Sequence, residues 1–256
     1  MVEKRDKLRL IFIGIYVLCI FLVGSLFMIG IGAIIANAKG MNTAQIVGYI
    51  LGTTKGTPTA EETYVINTAK GYGNVFAYLV VFISAIFLMK EDFKEDFISL
   101  KTNVKFYRLY IPIAVVLFTG IAYLLSYLVG LYVPDSENQT VIENIMKTSA
   151  MVPMIISTVI FAPVIEELIY RKCVFYYTRN FKIYVRYIIS IILFTLPHIL
   201  TSIGKFTVGQ YFLMTVPYIL DAFMLALIYH KGKYNVYTSI ACHIANNILA
   251  VILVFI

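Results

Sequence analysis

Tryptophan is absent from these 256 residues, and histidine and cysteine occur only three times each. Charge is scarce too: 14% of residues are Asp, Glu, Lys or Arg, against 60% hydrophobic. A soluble chain of this size carries about 25% charged residues, so the shortage excludes an ordinary soluble domain. The cysteines, Cys19, Cys173 and Cys242, lie in or beside apolar runs. With no Cys-x-x-Cys pair and no framework of cysteines, metal-ribbon and disulfide-scaffold classes fall away. The three read as small core residues. No internal repeat and no low-complexity tract is visible.

What is present is a series of seven apolar runs long enough, or nearly so, to cross a bilayer. They cover 9–35, 74–89, 109–133, 151–170, 187–203, 207–229 and 237–256. The expected fold is all-α: a polytopic membrane helix bundle of about seven transmembrane helices, multi-pass in the cell membrane. The chain reads as a single membrane domain, 1–256, with N-terminal spans and loops over 1–149. Run 187–203 is the shortest and contains Pro197.

The net charge of +7 raises the question of nucleic acid, but its distribution answers it. If the N-terminus is cytoplasmic, the inside segments 1–9, 90–108, 171–186 and 230–236 hold sixteen of the 21 Lys and Arg. That is the positive-inside bias. It places the N-terminus in the cytoplasm and the C-terminus outside, and the basic excess reads as orientation and leaflet attraction.

The first apolar run, about 26 residues, exceeds the roughly 7–15 of a signal peptide. Despite Ala36-Asn37-Ala38, it reads as an anchor. Residues 37–73 form an outside loop, with a short helix expected over 59–69 that starts at Thr59. Asn74 is expected to open the second span. The inside loop 90–108 reads either as an inner-leaflet helix displaying Phe93, Phe97, Ile98 and Leu100 or as a solvated connector. An acidic loop follows Pro134, and Asn138-Gln139-Thr140 is a formal glycosylation sequon.

The chemistry concentrates in the last four spans. Glu166 and Glu167 stand side by side near the end of a run that begins around Met151. An acid at membrane depth costs about 2.5–3.5 kcal/mol on insertion scales. Arg171, four residues after Glu167, shares its helical face in the favourable order. Glu166 points about 100° away and has no local cation. The pair is therefore either a structural ion pair with a spare acid or a scaffold beside a working carboxylate. His198 lies in the fifth span; His243 and Asn247 lie at i, i+4 on the seventh. Each is costly in lipid and is expected to face a shared polar cavity. Asp221 is an unpaired acid in the sixth span, either lining that cavity or bonding a neighbouring helix. His230, at the inner end of that span, reads as interfacial.

Glu-Glu-x-x-x-Arg (166–171), Phe-x-x-x-His (194–198) and His-x-x-x-Asn (243–247), in that order, resemble the CPBP family. These are the CAAX proteases and bacteriocin-processing, or Abi, intramembrane proteases. The resemblance covers about 150–250, and it implies a catalytic core there and glutamate-dependent peptide hydrolysis in the membrane. It implies that Glu166 and His198 activate water, that His243 and Asn247 bind the oxyanion, and that Glu167 and Arg171 support the site. The chemistry is coherent, since hydrolysis needs a base for water and donors for the oxyanion. No metal or cofactor is expected; the alternative is zinc on Glu166, His198 and His243. The implied partner is a hydrophobic or lipid-anchored peptide or protein substrate in the bilayer. Two other readings remain: a non-catalytic scaffold or bacteriocin self-immunity protein of the same fold, and a proton-coupled transporter.

Overall fold

The computed structural model describes residues 2–134, 136–200 and 202–255. Ten helices carry the described chain. They are α1, Glu3–Ala38; α2, Thr43–Leu51; α3, Ala60–Leu88; α4, Lys90–Thr102; and α5, Val104–Gly130. There follow α6, Glu137–Met146; α7, Met151–Tyr177; α8, Ile183–Leu200; α9, Val208–Lys231; and α10, Val236–Val254. Seven of them, all but α2, α4 and α6, are long and apolar enough to cross a membrane. The protein is thus a multi-pass membrane protein of the all-α class. Leu109, Ile113, Val116, Leu117 and Leu124 of α5 remain exposed, as side chains that meet lipid rather than water.

The helix starts follow local chemistry. Thr59 caps α3 as expected: its N–H donates to Glu62 Oε2 at 2.7 Å, and the Glu62 N–H donates to Thr59 Oγ1 at 3.2 Å. Thr207 and Gln210 make the same reciprocal box at α9. Asn42 and Asn235 cap α2 and α10 with their side-chain oxygens.

The described residues form two compact units. One comprises 1–88 and 141–161. Its core is built from Ala36, Ile46, Ile50, Val65, Ile66 and Ala69, with a second cluster of Ile145, Ala150 and Met154. Here two expectations are corrected. The helix predicted over 59–69 and the span predicted over 74–89 are one continuous helix, and Asn74 lies inside it rather than at its start. The glycines between them do not break it, because each is pinned by close packing. A Cβ on Gly73 would lie 2.9 Å from the Gly24 carbonyl oxygen and 2.6 Å from Met28 Cβ. Small residues of this kind let membrane helices approach backbone to backbone.

The other unit comprises 89–140 and 162–256. In it α4 is a helix whose buried face is acidic. Asp92 and Asp96, at i, i+4, are the buried residues, while Phe97 and Ile98 are about half exposed. Asp96 explains this. It pairs with Lys172 of α7 at 2.6 Å, accepts the Val236 N–H at 2.9 Å, and its backbone carbonyl accepts Asn235 Nδ2 at 2.7 Å. An acid that closes the start of α10 outweighs a few apolar contacts on the other side of α4. The turn into α10 holds Lys233 and Tyr234 at positive φ, 61° and 57°. Tyr107 and Tyr110 of α5 clamp it by donating to the Gly232 and Ile228 carbonyls. The fifth span also starts earlier than 187, at Ile183, and ends at Leu200. His198 is therefore close to the end of α8.

Candidate active site

The second unit contains every candidate residue. α7 brings Glu166 and Glu167 between two stretches of π-helix, Ser157–Phe161 and Leu168–Cys173. Pro163 accounts for the first. Lacking an N–H, it cannot satisfy the carbonyl four residues before it, and a wider turn relieves the ladder. Such bulges are frequent at functional sites.

Glu167 and Arg171 are 0% exposed. Arg171 Nε lies 3.1 Å from Glu167 Oε2, so the pair expected from the i, i+4 spacing is present. The cation is also bonded from a second helix. Arg171 Nη1 donates to Ser190 Oγ at 2.8 Å, and that hydroxyl donates to the Tyr170 carbonyl at 2.8 Å. The guanidinium also lies 4.8 Å from the centre of the Phe194 ring.

His243 of α10 ties the two glutamates together. Its Nδ1 lies 3.1 Å from Glu167 Oε1, and its Nε2 lies 3.9 Å from Glu166 Oε2. Since Glu167 is held as a carboxylate by Arg171, Nδ1 carries the proton and donates it. Glu166 and His243 are 5% and 6% exposed, so their opposed atoms face a nearly enclosed space.

His198 reaches this group through Phe194, whose ring stacks on His198 at 4.9 Å and meets His243 at 5.9 Å. That ring lies between the two imidazoles. His198 Nδ1 lies 2.8 Å from the Phe194 carbonyl. A carbonyl can only accept, so Nδ1 carries the hydrogen and a neutral ring keeps its lone pair on Nε2. On its other side His198 meets Tyr218 of α9 at 5.0 Å, and Tyr218 hydrogen-bonds Ser136 at 2.6 Å. Asn247 is half-buried, one turn beyond His243 on the same face of α10.

Ser190, Tyr218 and Asp221 are site residues that motif reading did not assign. Asp221 and Tyr218, three apart on α9, gave a signal only as polar groups inside an apolar span. His230 lies apart from the group, hydrogen-bonded to Tyr187 at 2.8 Å. The three cysteines are buried and unbridged. Among the described residues no three His, Cys, Asp or Glu side chains converge to hold a metal ion.

No curated protein and no solved structure matches the chain. A family model does: the one described as Type II CAAX prenyl endopeptidase Rce1-like, over residues 148–249. That range contains the glutamate pair, both histidines of the site and Asn247. Over these residues the chain is similar to the CAAX prenyl endopeptidases, the family that its three motifs resemble.

Proposed function

We propose that this protein is an intramembrane, glutamate-dependent endopeptidase that cuts a membrane-associated peptide or protein tail. Residues 150–250 would be its catalytic core within the membrane domain, with the N-terminus in the cytoplasm. The observation that carries the reading is His243 held between two glutamates, 3.1 Å from one and 3.9 Å from the other. A structural ion pair needs Glu167 and Arg171; it has no use for Glu166 and an imidazole set 3.9 Å apart and nearly buried.

In the proposed reaction Glu166 takes a proton from water, and the water oxygen bonds to the scissile carbonyl carbon. His198, with its lone pair on Nε2, is a second acceptor for that water. As imidazolium, His243 donates Nδ1–H to Glu167 and keeps Nε2–H for the oxyanion, beside the Asn247 amide. Collapse breaks the carbon–nitrogen bond, and Glu166 returns the proton to the leaving amine. Glu167 and Arg171 hold His243 in place. The family's description suggests a prenylated C-terminal tail as substrate, and a buried site suits a hydrophobic or lipid-anchored one.

Glu166→Gln and His243→Ala, compared with wild type in proteoliposomes, test this. The probes are fluorogenic peptides ending in Cys-Val-Leu-Met, with and without an S-farnesyl group. Both variants should remain folded in the membrane while turnover falls about 100- to 10,000-fold. No turnover by wild type would instead favour a non-catalytic scaffold, and wild-type turnover in both variants would remove Glu166 and His243 from the reaction.

A further inference from the structure

Asp221 is an acid in α9 to which the proposed reaction assigns nothing. It sits in the middle of α9, where Ala222, Leu225 and Ala226 are buried around it. The side chain is partly exposed, yet its Oδ1 is enclosed and has no hydrogen-bond partner among the described residues. It lies within electrostatic range of His243. Tyr218, three residues earlier and so on the same face, packs against His198. One face of α9 therefore confronts both site histidines.

A buried acceptor left without a donor loses more than a made bond would gain. An apolar residue at 221 would fit the neighbouring alanines and leucine without that loss. An N–H of a bound peptide would supply such a donor. Resting on the endopeptidase reading above, we infer that Asp221 is a substrate-binding residue whose Oδ1 accepts a backbone amide N–H of the bound peptide. Such a bond fixes an extended chain along α9 and presents its carbonyl to Glu166 and His243. No bond is made or broken at Asp221, and its role is to place the peptide.

The test uses full-length Asp221→Leu and Asp221→Asn in proteoliposomes with the farnesylated probe. A companion set of probes carries an ester in place of one amide at a time, so that each lacks one N–H. Asp221→Leu should lower kcat/KM roughly 10- to 100-fold, mainly through KM, with an unchanged or higher melting temperature. At one probe position the ester should slow wild type by a similar factor and leave Asp221→Leu unaffected. Asp221→Asn, which keeps an acceptor oxygen, should recover part of the rate. The inference is overturned if Asp221→Leu matches wild type, if its loss merely follows a lower melting temperature, or if every ester slows both proteins equally. Failure of the underlying reading looks different: wild type and Glu166→Gln would then be indistinguishable on every probe.

Discussion

His243 and Glu167 meet through one hydrogen bond of 3.1 Å, and through it the fully buried Arg171 is joined to the imidazole that faces Glu166. A change at Glu167 therefore acts at once on stability and on His243. Glu167→Leu strands Arg171 with Ser190 alone and is expected to destabilise the protein by about 3–5 kcal/mol. Adding Arg171→Met should restore most of that, because an apolar pair of similar volume tolerates burial. Turnover should stay low in the double variant, since His243 has lost its anchor. A double-mutant cycle of melting in detergent, run beside the cleavage assay, checks both halves.

Asp96 gives the pH prediction. Burial holds its carboxyl above the usual aspartate range, although Lys172 and the Val236 N–H pull the other way. A folded value raised above the unfolded one means the folded protein binds the proton more tightly. The resulting stability is fully present below the ordinary aspartate value and is lost as pH rises through the folded value. Asp96→Asn cannot titrate. The melting temperature of wild type minus that of Asp96→Asn should therefore grow as pH is lowered from neutral through this window. Asp96→Ala, which also removes the Lys172 pair and the cap on α10, should cost about 3 kcal/mol at neutral pH.

Gly73→Ala probes the other unit. The new methyl would press on the Gly24 carbonyl, 2.9 Å away, and backbone cannot swing aside as a side chain can. The expected loss is about 1–3 kcal/mol, with kcat of the folded fraction unchanged. Gly120→Ala, which meets nothing within 4 Å, is the matched control.

Tyr218 supports His198 from the side opposite Phe194. Tyr218→Phe keeps the ring and removes only the bond to Ser136, so a change of about 1 kcal/mol or less in stability is expected. Tyr218→Ala opens a space into which His198 can turn. Turnover should fall about 10- to 100-fold while Asp221 remains in place, which a KM and kcat comparison will register as a change chiefly in kcat.

How far the sequence foretold this depends on where each partner lay. Glu167 and Arg171 were legible because both sit on one helix at a spacing that puts them on one face. The convergence of α7, α8 and α10 was legible because polar groups in apolar spans must turn inward. The link from Arg171 to Ser190 was not, because it crosses helices and serine is unremarkable in a membrane run. Nor were the π-helical turns around the glutamates, since a single proline does not specify which carbonyl is released. The burial of Asp96 on α4 was not legible, because its contact is the start of a helix 140 residues later. The role of the reacting groups themselves rests on the cleavage experiments above.

The Glu167–Arg171 pair also bears on how the polypeptide is made. Both charges ride on one segment, so they can neutralise each other as soon as that nascent helix leaves the ribosome and winds, before any later segment exists. Ser190 and His243 are synthesised afterwards and find an arginine already compensated. A salt bridge shared between two distant segments would offer no such shelter during biogenesis.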